Sequence, residues 1–290
     1  VRGARIGEGD NSRVYVGLRV PTGSIIAVKE VDLRLEHRDH ENAQYHAELS
    51  AIRTSNEVLK DLDHPNVVRY LGIDLVRHAQ EVTLQLFLEY IPGCTLQSAL
   101  AKQSALNEHD ILDMHSAFPE ATTKSFGKQI LAGLDYLHSH GVVHGDLTPR
   151  KARCPQILLT PTGRCKISSL EYPRTAPSPD APFHQLPSLV FYMAPGLITR
   201  HGEQATAACD IWSVGCILLE MWTGQRPWAG EDMISVLFKL YGGEAPSIPS
   251  GVLLSDSAED LRARCFNVDP TARPSAAELL RHPYFELAEG

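Results

Sequence analysis

Apolar residues alternate with polar ones over the first thirty positions and then fall into wider spacings. Val14-Tyr15-Val16-Gly17 and Ile25-Ile26-Ala27-Val28-Lys29 read as short strands divided by glycine turns, the pattern of a twisted antiparallel sheet. From about Glu41 to Leu62 the spacing turns helical, with Ala51, Ile52, Val58, Leu59 and Leu62 on one face, and His64-Pro65-Asn66 stops it. Two further strand-like runs follow, Val67 to Ile73 and Val82 to Tyr90, and Ile91-Pro92-Gly93 marks a hinge. Beyond it the pattern is mainly helical. Thr122 to His140 carries apolar residues at Phe126, Ile130, Leu131, Leu134 and Leu137, with Gly141 as its C-terminal cap. Ala207 to Thr223 is apolar on most sides and predicts a buried helix, and Ser275 to Leu280 opens a last one. Stretches at 104–117 and 151–155 look inserted. The proline-rich 173–187 reads as extended or disordered loop.

Composition narrows the classes. With 290 residues, 43% of them hydrophobic, the chain can bury the core of one large domain or two lobes. Its 27 basic and 35 acidic residues give a net charge of −8, which argues against nucleic acid or an anionic membrane as the main partner. Six cysteines without CxxC pairing or His-rich spacing suggest structural thiols in a reduced, cytoplasmic compartment. The longest apolar run, 211–222, is broken by Ser213, Gly215 and Glu220 and is too short to span a bilayer. No signal peptide is legible, and the start at Val1, inside a motif, reads as an excised domain.

A series of segments then carries the chemistry: Ile6-Gly7-Glu8-Gly9, Ala27-Val28-Lys29, His64-Pro65-Asn66-Val67-Val68, Phe87-Leu88-Glu89-Tyr90, Tyr136-Leu137-His138, His144-Gly145-Asp146, Tyr192-Met193-Ala194-Pro195, Asp210-Ile211-Trp212-Ser213-Val214-Gly215 and Asp269-Pro270-Thr271-Ala272-Arg273-Pro274. A glycine-rich turn alone occurs in many folds, but the ordered series resembles a eukaryotic protein kinase domain along essentially the whole chain. Its nearest resemblance is to the Ser/Thr kinases of the MAP kinase kinase kinase group, resting mainly on Leu237-Phe238-Lys239-Leu240 and Ile248-Pro249. The resemblance implies an α+β, bilobal fold in a single domain. A small antiparallel sheet with one helix would form the N-lobe over 1–91, and a larger, mainly helical C-lobe would span 92–290.

It also implies a nucleotide cleft. Ile6, Gly7 and Gly9 would bring a hairpin backbone close over ATP phosphates, where a Cβ would crowd them, although an ordinary hairpin turn uses the same residues. The family's third glycine is Ser12 here. Val14, Ala27 and Leu158 match the adenine sandwich, which plain core packing would equally explain. Leu88 matches the residue guarding the back pocket, and the backbones of Glu89 and Ile91 would face the adenine edge. Lys29 matches the lysine that contacts the α and β phosphates. Its usual glutamate partner falls on Ser55 by family spacing. Glu57 lies about 200° round the helix from that position, and Glu48 would need a helix shift. Lys29 is therefore expected to lack its usual partner, or simply to be a solvated lysine.

Several working parts are exchanged. Asp146 matches the carboxylate that accepts the substrate hydroxyl's proton, or it is a structural carboxylate holding loop amides. The arginine that usually precedes it, a receptor for an activation-loop phosphate, is Gly145. The lysine that steadies the γ-phosphate is Thr148. The metal-binding asparagine is expected at Lys151, yet Ile157-Leu158-Leu159 marks Gln156 as its counterpart after about five extra residues. Ser169-Leu170-Glu171 replaces Asp-Phe-Gly, so the anionic magnesium ligand is a serine, with Glu171 as a conceivable rescue and Leu170 able to fill the slot of the phenylalanine. Gly196 replaces the glutamate that pairs with Arg273, while Asp210 is expected to accept hydrogen bonds from the catalytic loop. Thr175, Ser178 and Ser188 are candidate phosphorylation sites.

ATP is thus the candidate cofactor, and the cleft reads as a poor site for Mg2+. The loss of a metal carboxylate plausibly costs several kcal/mol of transition-state stabilisation, at ~1.4 kcal/mol per tenfold in rate. The first reading is a pseudokinase, a regulatory or scaffolding module in phosphorylation signalling with other kinases or signalling proteins as partners. The alternatives are a weakly active or unconventional ATP-dependent Ser/Thr kinase, motivated by Lys29 and Asp146, and a nucleotide sensor.

Overall fold

The computed structural model of the protein describes residues 1–8, 12–33, 50, 54, 56–77, 82–107, 117–148, 156–170, 190–199 and 205–286. Five strands, β1 (Arg2–Glu8), β2 (Ser12–Arg19), β3 (Ser24–Leu33), β4 (Tyr70–Arg77) and β5 (Val82–Glu89), form one antiparallel sheet in the order β1-β2-β3-β5-β4. Residues directly opposite in adjacent strands share a face. Val14 opposes Lys29, Lys29 opposes Leu86, and Ala27 opposes Leu88. All five therefore project from one side, and Ile26, Val28, Glu30, Gln85 and Phe87 project from the other.

A second sheet joins β6 (Cys94–Thr95), β7 (Ile157–Leu159) and β8 (Cys165–Ile167). Helices follow: α1 (Leu96–Asn107), α2 (Glu120–Ser139), α3 (Gly196–Thr199), α4 (Ala207–Thr223), α5 (Met233–Tyr241), α6 (Asp256–Cys265) and α7 (Ala276–Leu280). The α+β architecture with an N-terminal antiparallel sheet and a mainly helical remainder is the one the sequence implied. Helix α4 is buried along most of its length, as its all-round apolar pattern predicts. Ser275 caps α7, accepting from the Glu278 N–H while the Glu278 carboxylate accepts from the Ser275 N–H.

One core runs from Leu59, Leu62, Leu84 and Leu86 through Leu131, Leu134 and Ile167 to Ile217, Leu261 and Tyr284. The two sheets are tied by backbone. The Val68 N–H donates to the Ile167 carbonyl and the Ile167 N–H to the Asn66 carbonyl, both at 2.8 Å. At Gly93, the last residue of the segment read as a hinge, any Cβ would sit 1.8 Å from the Leu159 carbonyl oxygen, so only glycine lets this segment pass β7.

Three boundaries differ from expectation. Residues 56–59 are helical but Leu62 is not, because the Asp63 N–H donates to the Tyr136 hydroxyl at 2.9 Å instead of continuing the helix. Strand β4 starts at Tyr70 rather than Val67, since Val67 bridges to Ile167 and Val68 bonds to it. Helix α1 extends through 104–107, so the first part of the stretch read as an insertion is helix. The rest of that stretch, the insertion at 151–155 and the proline-rich 173–187 lie outside the described residues. The five described cysteines are free. Burial raises the thiols of Cys165 and Cys216, and pushes that of Cys265 up to about 12, so these thiols are unreactive. No helix among the described residues is long and apolar enough to cross a membrane.

Candidate active site

In the segment His144–Thr148 all residues but the half-buried Gly145 are buried, and the segment is held by Asp210, in the first turn of α4. The Asp210 carboxylate accepts from the His144 N–H at 2.9 Å and the Gly145 N–H at 2.7 Å, with His138 Nε2 at 2.8 Å. Three donors on one buried anion compensate for its removal from water. This is the structural role the sequence assigned to Asp210. His144 Nδ1 accepts from the Asp146 N–H at 3.3 Å, which leaves the proton on Nε2. That Nε2–H donates to the Ser168 carbonyl at 2.9 Å, so the loop carrying Asp146 is pinned to the strand end that carries Ser169. Asp146 itself is buried. Gly145 has φ 72°, a conformation that suits glycine and strains an L side chain.

The other wall is built differently. Gln156 is fully buried, and its Oε1 accepts from the Thr148 N–H at 2.5 Å. Its backbone carbonyl accepts from the Ser168 N–H at 2.8 Å. Gln156 is therefore a strut between the loop and β8, and its Nε2 finds no acceptor among the described residues. Ser169 takes φ 72°, rare for a residue other than glycine. Leu170 packs against the core, beside a small cavity lined by Leu59, Leu62, Val68, Tyr70 and Leu88, as the expected filling of the hydrophobic slot requires.

Lys29 is 5% exposed, which overturns the reading of a solvated lysine, and it is not without a partner. Ser55 and Glu48 lie outside the described residues. Glu57 is exposed and ion-paired with Lys60, one turn away, so it points elsewhere as expected.

Val14, Ala27, Lys29 and Leu88 share the sheet face defined above, and Leu158 stands on β7, paired with Lys166. Gly7 opposes Val14 at the end of the first hairpin. Ile6 is half-exposed. Gly9 and Glu171 lie outside the described residues, as do Lys151, Thr175, Ser178 and Ser188. Of the two positions expected to offer backbone to an adenine edge, the Glu89 N–H is committed to the Arg69 carbonyl at 2.8 Å.

Two features were missed. The Glu89 carboxylate accepts from Lys166 Nζ at 2.8 Å and from the Arg69 N–H at 3.1 Å, and Lys166 also donates to the Val67 carbonyl at 3.2 Å. This ion pair ties the hinge to the strand that leads into Ser169. No sequence pattern pairs residues 77 positions apart. The second is Arg273, which keeps its buried place although Gly196 has replaced the expected glutamate. It donates to the carbonyls of Asn267 (3.0 and 2.8 Å) and Ala208, and lies 5.3 Å over the Trp212 ring. Burial lowers its pKa from the ordinary value.

The protein kinase domain family matches residues 1–285. The mitogen-activated protein kinase kinase kinase MCK1 of Pyricularia oryzae is 35% identical over 99% of this chain, which spans 18% of that protein. The serine/threonine-protein kinase BCK1/SLK1/SSP31 of Saccharomyces cerevisiae is 34% identical over 100% of the chain and 18% of its own length. The mitogen-activated protein kinase kinase kinase 2 of Arabidopsis thaliana is 33% identical over 98% of the chain and 40% of its own length. The chain thus covers less than a fifth of the two fungal relatives. With a match over residues 1–285, an antiparallel N-terminal sheet, an Asp146 loop held by Asp210, and relatives of one signalling group, the chain belongs to the protein kinase domain family and is similar to Ser/Thr kinases of the MAP kinase kinase kinase type.

Proposed function

We propose that the domain is an ATP-dependent Ser/Thr protein kinase with impaired phosphoryl transfer, acting on a downstream kinase as the names of its relatives state for them. The observation that carries this is the pinned catalytic loop. Asp210 holds the His144 and Gly145 amides, and His144 grips the Ser168 carbonyl, which fixes the loop as a catalytic role for Asp146 requires. In the step, the acceptor oxygen bonds to the γ-phosphorus, the bond to the β–γ bridging oxygen breaks with ADP leaving, and the hydroxyl proton passes to Asp146. ATP fits the chain: Val14, Ala27 and Leu88 offer an apolar face, and Lys29 a buried cation on the same side.

The residues present fit a divalent cation poorly. Ser169 carries no charge, the Gln156 oxygen is committed to Thr148, and no group of three or more His, Cys, Asp or Glu side chains gathers among the described residues. Slow transfer follows, since phosphoryl transfer relies on positioned charge more than on covalent help. The second reading, a regulatory pseudokinase, is favoured by one observation, the serine at position 169.

Incubating the full-length protein with labelled ATP, Mg2+ or Mn2+ and a kinase substrate separates the two. Weak transfer that falls more than about a hundredfold in Asp146→Asn supports the kinase. Transfer undetectable in the native protein, with ATP still raising the melting temperature, establishes the pseudokinase.

A further inference from the structure

The fold places the charge of Lys166 almost out of water, at 9% exposure, and the phosphoryl-transfer step proposed above makes no use of it. A lysine so buried needs acceptors for its ammonium group. It finds two, the Glu89 carboxylate at 2.8 Å and the Val67 carbonyl at 3.2 Å. Glu89 in turn closes a ring with Arg69. The Glu89 N–H donates to the Arg69 carbonyl at 2.8 Å, and the Arg69 N–H donates to the Glu89 carboxylate at 3.1 Å. One charge pair therefore joins three segments: the end of β5, the approach to β4, and β8. The last two are already fixed to each other by backbone, through Asn66, Val68 and Ile167. Glu89 is the member whose tie to β8 runs through a side chain.

The second sheet shows what the pair borders. Lys166 stands opposite Leu158 on β7, and Leu158 stands opposite Thr95 on β6. Residues opposite one another share a face, with Cβ atoms about 5 Å apart, so Lys166 is a neighbour of the Leu158 side chain. The hinge is thus held at one end by Glu89 and at the other by the pairing of Cys94 with Leu159. We propose that Lys166 is a positioning residue for the nucleotide. Through Glu89 it fixes the hinge relative to Leu158, and so the width of the apolar slot between Leu158 and the sheet face of Val14, Ala27 and Leu88. The proposal rests on the reading of the cleft as an ATP site. It gives Lys166 a part in nucleotide affinity and none in turnover, because the Asp146 loop is held separately by Asp210 and His144.

The test follows binding of N-methylanthraniloyl-ADP to the full-length protein by fluorescence, with and without Mg2+. Lys166→Met and Glu89→Gln should each weaken binding by about tenfold. The double variant should be no weaker than either single one, since both remove the same interaction. Lys166→Arg should restore affinity to within about threefold, because a guanidinium also supplies donors for both acceptors. Where transfer is measured, KM for ATP rises in Lys166→Met and kcat does not. Ser275→Ala, which removes the cap of α7, lowers the melting temperature and leaves affinity unchanged, so loss of stability and loss of positioning are told apart. Glu89→Gln keeps the side-chain length and removes only the charge, so the test stands even where Lys166→Met fails to fold. The inference is overturned if the native chain binds the analogue and either single variant binds it as tightly, or if the two single losses add. An analogue that the native chain does not bind removes the ATP reading and the inference together.

Discussion

The two walls of the cleft floor differ in what their polar atoms do. On the Asp146 wall, the hydrogen bonds of Asp210 and His144 hold in place the loop that carries Asp146. On the Ser169 wall the side chain that should face a cation, Gln156, has its oxygen turned onto the Thr148 backbone, and position 169 carries no charge. The difference separates two kinds of requirement. Asp210 and His144 hold the loop by hydrogen bonds to backbone, whereas the Gln156 amide oxygen is spent on the backbone and Ser169 brings no charge.

The strongest attack on this contrast is Asp210→Ala. It strands two buried amides and His138, so stability should fall by about 3 kcal/mol, read from the urea midpoint at unchanged slope. A loss below about 1 kcal/mol would mean that the frame does not depend on this anion. Next comes Ser169→Asp, which returns a charge to the poor wall at a backbone conformation that aspartate tolerates. Magnesium-dependent transfer should rise tenfold or more, or ~1.4 kcal/mol of transition-state stabilisation, with little change in melting temperature. An unchanged rate would locate the deficit elsewhere, at Thr148 or Gln156.

Gly145→Ala should lower stability by about 1 kcal/mol, because φ 72° strains any L side chain. The smallest effect concerns His64, whose pKa is lowered by burial and then by Lys166. Its Nδ1 accepts from the Asn66 N–H, which only the neutral ring can do. The unfolded chain takes up the proton near the ordinary 6.5, before the folded one does. Stability is therefore complete above that pH and declines as pH falls toward the lowered value, a slope that His64→Gln should flatten in melting curves.

Most of the fold was legible because local signals agreed with tertiary demands. Ala207 to Thr223 is apolar all round and is buried all round, and Ser275 with Glu278 announces a helix start that the structure makes. What was not legible depends on long-range geometry. Val67 could have continued a strand had Ile167 not claimed it. The burial of Lys29 is a matter of what covers the cleft, which spacing does not encode. At the site, residue types were readable one by one, as with Ser169 and Gln156. The direction of the Gln156 amide and the Lys166–Glu89 pair arise from side chains meeting across distant segments.

Gly145 has one more consequence. Since its amide is fixed by Asp210 and its conformation needs no outside support, the loop that bears Asp146 acquires its shape when the chain folds and keeps it afterwards. With glycine in place of arginine at position 145, this loop offers no guanidinium of its own to a phosphate.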